Sequence, residues 1–269
     1  MEYFKLSNGI QIPALGFGTW KVKGDDCVNA VKAAIEVGYR HIDTAWVYKN
    51  EKEVGQAIRE SGIPRSDFFI TTKCWNDHRG YEATMKAFQV SCENLGTDYL
   101  DLYLLHWPKP LDAESWRAME ELYETGKIKA IGVSNYHQHH LEDLKKTARI
   151  LPMVDQIEFS PRLTQEPLMA YLKDEGIQME AWSPLMQGQI FDIDVLKELA
   201  VKYNKSIAQI VLRWNIDKGV VVLPKSVTPS RIKENFEVFD FKLSSEDIAR
   251  INALNQNIRT GADPDNFDF

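Results

Sequence analysis

Eight short apolar runs, each followed by a stretch of helical periodicity, constrain how this 269-residue chain can fold more than any other feature. The runs are Leu15–Gly18, His41–Thr44, Phe68–Lys73, Tyr99–His106, Ala130–Ser134, Val154–Phe159, Gln178–Trp182 and Val220–Pro224. Some are continuous, such as Val220-Val221-Val222-Leu223, the pattern of a strand covered on both faces. Between them, Val28, Val31 and Ile35 share one helix face, as do Met85, Phe88, Cys92 and Leu95, and then Trp116, Met119 and Tyr123. Strict alternation of strand and helix implies a parallel sheet. Eight such units in this length favour an α/β fold closed as a (β/α)8 or TIM barrel over an open doubly wound sheet.

Two additions to the plain barrel are legible. The chain opens with a hairpin, Tyr3–Leu6 and Ile10–Ile12, around a turn at Asn8-Gly9. Leu196, Leu199, Ala200 and Tyr203 mark one helix, and Ile207, Ile210, Val211 and Trp214 a second, which a capping box from Ser206 to Gln209 starts afresh. Two helices therefore lie between the seventh and eighth strands, where a plain barrel has one. A further helix near Ser245–Leu254 follows the one expected after strand eight. No Pro/Ser-rich linker, low-complexity segment or close repeat interrupts the rhythm, so residues 1–269 read as one domain. With 44% apolar and 26% charged residues, the chain is of the globular kind and long enough to bury a large core.

The formal net charge of −7 argues against a general nucleic-acid binder, which would present a basic face. Met1–Gly9 holds Glu2, Lys5 and Asn8 and no apolar stretch of the secretory type, and no run approaches a membrane span. Cys27, Cys74 and Cys92 are odd in number and lack metal-ligand spacing. They are expected to be reduced thiols in a cytoplasmic protein, with Cys27 and Cys92 acting as small packing residues.

The chemistry of a barrel enzyme sits at the carboxyl ends of the strands, and the unusual polar residues fall there. Asp43, Lys73 and His106 end strands two, three and four. Ser134 and Asn135 follow strand five, and Gln156 lies in strand six. Trp182 and Ser183 end strand seven, and Lys225 and Ser226 follow strand eight. Any one of them alone reads as a satisfied core group; convergence on one face does not, because buried polar groups without partners are costly. Tyr48, five residues past Asp43, is within reach of the same mouth. A phenol, with a pKa of about 10, is a poor acid at neutral pH. A nearby ammonium lowers that value, and Lys73 would supply the charge while Asp43 holds Lys73 in place. His106 offers a ring nitrogen to orient a carbonyl oxygen. The set suits proton delivery to a nascent alkoxide, with hydride from a cofactor, since no side chain supplies one.

These residues lie in GFGTW at Gly16–Trp20, DTAWVYKNE at Asp43–Glu51, TTKCWN at Thr71–Asn76, DLYLLHWP at Asp101–Pro108, GVSNY at Gly132–Tyr136, WSPL at Trp182–Leu185 and LPKSVTPSRIKEN at Leu223–Asn235. In that order, and with the stretch around Gln156, they resemble the aldo-keto reductase family over essentially the whole chain, in the manner of its short bacterial-type members. The resemblance implies that Tyr48 is the general acid, with Asp43, Lys73 and His106 completing a tetrad. It implies NADP(H) as cofactor, with Gly18, Thr19 and Trp20 against it and Ser134, Asn135 and Gln156 bonding the nicotinamide carboxamide. Trp182 would stack on the nicotinamide, Ser183 and Leu185 would lie along the pyrophosphate, Lys225, Ser226 and Arg231 would grip the 2′-phosphate, and Asn235 would touch the adenine. Two cations and a hydroxyl near a helix start are in any case a phosphate site and favour NADP(H) over NAD(H). Gly16-Phe17-Gly18 is followed by Thr19-Trp20-Lys21, so a G-x-G-x-x-G fingerprint fails at its last position, which disfavours a Rossmann dehydrogenase.

Position 182 is Trp, where many larger members of that family carry Tyr. The tail after the last helix, Gly261–Phe269, is short, from which a more open pocket is expected. Trp20, Trp75 and Trp107, on loops at the catalytic face, are expected to line the substrate pocket with His106; Trp46 is a weaker candidate. Asn76 either donates to a substrate oxygen or makes an ordinary loop bond. His137, His139 and His140 read as the exposed start of a helix, with no complete ligand set nearby, so no metal is expected. Asp263–Asp265 lacks the pattern of a calcium loop. Three functions compete: a reductase of aldehydes, reactive ketones or dicarbonyls; an NADP(H)-binding regulatory or redox-sensing module; and a lyase or hydrolase using Lys73. The intact tetrad and unadorned chain favour the reductase, and the last reading leaves Lys225, Arg231 and Trp182 unexplained. The expected partner is a small carbonyl compound, and a monomer is the default.

Overall fold

The computed structural model describes residues 1–269. Strands β1 (Tyr3–Lys5) and β2 (Gln11–Pro13) pair antiparallel as the expected hairpin. Gly9 takes a φ of 91° in its turn, a conformation that suits a residue without Cβ. The hairpin packs against the amino-terminal end of the eight-stranded sheet. Leu6 and Ile12 are buried, and the Asn8 side chain donates to the Lys129 carbonyl (2.9 Å), just before a strand of that sheet.

The eight expected units all form. They are β3 (Gly16–Gly18) with α1 (Gly24–Val37), β4 (His41–Asp43) with α2 (Glu51–Glu60), β5 (Phe69–Cys74) with α3 (Tyr81–Leu95), and β6 (Leu102–Leu105) with α4 (Asp112–Glu124). Then come β7 (Ile131–Ser134) with α5 (Gln138–Lys145), β8 (Val154–Glu158) with α6 (Glu166–Asp174), and β9 (Gln178–Trp182) with α7 (Asp194–Tyr203) and α8 (Ile207–Asp217). The set ends with β10 (Val221–Val222), α9 (Pro229–Phe236) and α10 (Ser245–Asn252). Strands β3 to β10 run parallel in sequence order. A parallel bridge from Leu15 to Val222 and a bond from the Gly18 amide to the Pro224 carbonyl (3.0 Å) join the first strand to the last. The sheet is a barrel.

Strand β10 is shorter than the apolar run around it because Pro224 has no N–H with which to extend the ladder. Strand β6 starts late because Asp101 turns its carboxylate onto the Ile70 amide (3.0 Å). At Gly132 a Cβ would stand 2.5 Å from the Val154 carbonyl oxygen, so β7 and β8 approach in a way that only glycine allows. The helix pair before β10 is present, and the capping box that separates it is reciprocal: the Gln209 amide donates to Ser206 Oγ (3.2 Å) and the Ser206 amide to Gln209 Oε1 (2.9 Å). Apolar residues of the strands and of the inward helix faces form one buried cluster. No helix is long and apolar enough to cross a membrane.

Candidate active site

The parallel strands all deliver their carboxyl ends to one face, and the candidate residues meet there. Lys73, on β5, is fully buried; its Nζ donates to both Asp43 oxygens at 2.7 Å and to the Thr44 carbonyl at 2.9 Å. Three acceptors for three ammonium protons is a complete set. The Asp43 carboxylate raises the Lys73 pKa against the opposing effect of burial, so Lys73 is a fixed cation.

Tyr48 sits in a 3-10 turn, Trp46–Tyr48, with Lys73 Nζ 5.3 Å from its ring centre and the His106 ring 5.8 Å away, edge to face. The turn is anchored by Asn50, a buried residue that the motif reading passed over. Its amide nitrogen donates to the Thr19 and Val22 carbonyls (2.9 and 2.8 Å), and its oxygen accepts from the Thr44 hydroxyl (2.6 Å). The loops carrying Trp20 and Tyr48 are thereby tied together. The expectation that Lys73 depresses the phenol pKa needs correction. Lys73 does pull it down, but burial outweighs that pull and holds Tyr48 above the ordinary phenol range. Tyr48 is protonated at neutral pH.

Burial, helped by the charges of Lys73 and Arg79, pushes His106 well below the usual imidazole range, so the ring is neutral. Its Nδ1 has no partner within the chain, and its edge faces Trp75 at 5.2 Å. Beneath Asp43, Gln156 donates to Asp43 Oδ2 (2.8 Å) and to Glu180 Oε2 (2.7 Å), which leaves only its carbonyl oxygen for a ligand. Glu180 was missed, although a charged residue in the run Met179-Glu180-Ala181 was a legible signal. Burial and the charge of Asp43 raise it to about 8. Behind it, burial lowers the neighbouring His41 to about 3.

One side of the mouth is polar. Asn135, with a φ of 65°, donates to the His106 main-chain carbonyl (3.0 Å) and accepts from the Trp182 indole N–H (2.8 Å), while the Ser134 hydroxyl donates to the Gln156 main-chain carbonyl (2.8 Å). The Trp182 ring is fixed in turn by Gly261, where a Cβ would come 2.4 Å from it. Ser183 shares a hydrogen bond with Thr260 (3.1 Å), and Leu185 is half-buried beyond it. Thr19 donates both its amide and its hydroxyl to the Asp43 carbonyl (3.1 and 2.9 Å) beside Gly18. Lys225 and Arg231 are exposed and have no carboxylate within salt-bridge distance; they flank the start of α9, where Ser226 accepts the Thr228 amide (3.1 Å). Asn235 is buried on the same helix.

The other side is aromatic, and here the short tail, from which an open pocket was expected, folds onto the wall. Phe269 stacks on Trp75 (5.9 Å) and meets Trp107 edge-on (5.1 Å), while Phe267 also lies on Trp107 (4.8 Å). Trp107 is consequently buried, whereas Trp20 remains 46% exposed. Asn76 donates to the main-chain oxygen of Phe269 (3.2 Å), so its partner here is the chain itself. Trp46 packs on His78 (4.3 Å), away from this group. Two further residues that the motif reading omitted hold the two sides of the mouth. Glu158 accepts the Thr260 and Gly261 amides, and the buried Arg79 donates to the Trp107 carbonyl while pairing with Asp112 (3.3 Å). The tail also carries Asp265 onto His137, His139 and His140, supplying the fourth ligand-type group that local spacing did not reveal. All three cysteines are free and buried, and burial raises Cys27 and Cys92 to about 12.

Comparison with known proteins agrees with this arrangement. Residues 14–256 match the profile of the aldo/keto reductase family. The chain is 55% identical to glyoxal reductase of Bacillus subtilis, over 98% of this chain and 97% of that protein. It superposes on MGS-M4, an aldo-keto reductase from a Medee basin deep-sea metagenome library, with a TM-score of 0.97 and 48% identity, covering 99% of this chain and 100% of that one. It also matches a Bombyx mori aldo-keto reductase solved in complex with NADP, with a TM-score of 0.91 and 39% identity over 98% of this chain and 96% of that one. The chain belongs to the aldo/keto reductase family.

Proposed function

We propose that this protein reduces small aldehydes, reactive ketones and dicarbonyls to alcohols with NADPH, using Tyr48 as the proton donor. The observation that carries the proposal is the meeting of a protonated phenol, a fixed ammonium and a neutral imidazole at one barrel mouth. The residues fit NADP(H). Lys225 and Arg231 lack carboxylate partners at a helix start, which suits a phosphate. Trp182 offers a ring face, and Ser134, Asn135 and the Gln156 oxygen offer polar edges. The bound cofactor supplies the hydride.

The chain's own residues do the rest. His106, neutral, directs a ring nitrogen at the substrate oxygen and fixes its position. As negative charge develops on that oxygen, the Tyr48 hydroxyl donates its proton, and the Lys73 charge stabilises the phenolate left behind. Asp43 keeps Lys73 in place through both of its oxygens. Trp20, Trp75 and Trp107, with the tail, exclude water from the mouth and favour small substrates. The name of the Bacillus relative, a glyoxal reductase, supports dicarbonyls as the first class to try.

The test follows NADPH absorbance against aldehydes, dicarbonyls, keto-sugars and quinones. Turnover should fall by roughly 10²–10⁴-fold in Tyr48→Phe, the contribution of a positioned general acid, with NADPH affinity nearly unchanged. A Tyr48→Phe protein at wild-type rates would remove Tyr48 as the acid. Tight NADPH binding without turnover on any carbonyl would favour the regulatory reading instead.

A further inference from the structure

A second cluster of chemistry-bearing side chains lies beside the mouth, where α5 begins. Asp265, from the tail, points its carboxylate at three imidazoles. Its Oδ2 is 2.8 Å from His137 Nδ1, and its Oδ1 is 3.0 Å from His139 Nε2 and 3.3 Å from His140 Nε2. All four ligand-type atoms lie within 4.8 Å of one another. The proposed reduction uses none of them.

We propose that His137, His139, His140 and Asp265 bind a zinc-class divalent cation, and that this ion fastens the carboxyl-terminal tail over the barrel mouth. Three imidazoles and one carboxylate are the donors that borderline cations prefer, whereas calcium and magnesium take oxygen ligands. Tetrahedral bonds of about 2.0–2.1 Å set neighbouring ligand atoms roughly 3.4 Å apart. The three nitrogen–oxygen contacts need to open by well under an ångström to reach that spacing, the widest pair needs to close by somewhat more, and His137, which faces Oδ2, must shift toward whichever oxygen takes the ion. His139 is half-exposed, which gives the ion a way in.

Loading has two structural costs. His140 Nδ1 accepts the His137 amide (3.1 Å) at the helix start, and a cation on Nε2 moves the ring proton to Nδ1 and ends that bond. Arg259 lies 2.9 Å from His137 Nε2 and must turn away; Asp263, 3.3 Å from its Nε, is the partner that keeps it. The consequence for the mouth comes from position. Asp265 lies two residues before Phe267 and four before Phe269, whose rings cover Trp107 and Trp75. An ion on Asp265 ties that cover to α5.

The experiment titrates EDTA-stripped full-length protein with ZnCl2 by calorimetry. A serine carboxypeptidase then measures release of Phe269 with and without zinc. One equivalent should bind, with affinity at least roughly tenfold weaker in His139→Gln and in Asp265→Asn. Zinc should slow release of Phe269 in the wild type several-fold more than in His139→Gln. Absence of binding at micromolar zinc, or equal binding by all three proteins, would overturn the site. Binding with unchanged release of Phe269 would overturn the role in fastening the tail. Neither readout requires carbonyl reduction, so failure of the reductase proposal would leave both intact.

Discussion

The side-chain amide of Gln156 donates to Glu180 across 2.7 Å, deep in the barrel and out of contact with water. Its second bond, to Asp43, places one amide between two carboxyls that cannot both ionise cheaply. Burial raises the Asp43 pKa, but Lys73 lies against it and favours its charge. Glu180 has only the neutral His41 ring within ion-pair distance (3.6 Å) and is the carboxyl that keeps its proton, with a pKa of about 8.

That assignment gives stability a defined pH dependence. The folded value of Glu180 lies above the ordinary 4.5, so below pH 4.5 the carboxyl is protonated whether the chain is folded or not. Between 4.5 and about 8, unfolding releases its proton, and the stability it contributes is lost as pH rises, by at most about 1.4 kcal/mol per pH unit. Glu180→Gln should remove this slope, so its Tm relative to wild type should climb steadily from acid to mildly alkaline buffer. Parallel melting curves across that range would show that Glu180 is ionised in the fold.

The Lys73 and Asp43 pair behaves differently, because both members are charged. Lys73→Met leaves the Asp43 carboxylate buried with only Gln156 as a donor, and should cost about 3–5 kcal/mol in urea denaturation. Asp43→Asn combined with Lys73→Met removes the stranded charge and should recover much of that loss, while turnover stays abolished in both proteins. A double variant as unstable as the single one would place the cost in lost packing instead of charge.

The barrel was legible because short apolar runs and a 3.6-residue helix period alternate along the chain, and strand ends then position Asp43, Lys73 and His106 without further information. The hairpin and the separately capped α8 were equally local signals. What escaped depended on long-range packing. Asn50 and Glu158 look like ordinary loop and strand residues until the loops and the tail fold onto them. Asp265 meets the histidines from more than 120 positions away, so no local spacing could announce the cluster. The direction of the Tyr48 shift depends on how much water the fold removes, which composition does not report.

The unpaired cations by α9 give the test of cofactor choice. Arg231 carries a planar fork with no carboxylate to occupy it, and a charge-assisted bond of this kind is worth about 1.5–3 kcal/mol. Arg231→Ala should therefore weaken NADPH by roughly 10–100-fold and NADH much less, measured by fluorescence titration. Equal losses for the two nucleotides would dismiss the 2′-phosphate role.

The tail supplies the remaining prediction. Phe267 and Phe269 form a wall against Trp75 and Trp107, and Asn76 holds the end of that wall through the Phe269 oxygen. Deleting residues 267 to 269 exposes both indoles and widens the mouth without touching the tetrad. Small dicarbonyls should then lose kcat/KM through a higher KM, since the deleted rings no longer confine them. Bulky aromatic aldehydes should lose little or gain. The ratio of kcat/KM between the two classes should shift by roughly tenfold, the scale on which a pocket contact discriminates. Equal changes for both classes, or a fall in kcat alone, would mean that the tail supports the catalytic face as a whole and does not set its width.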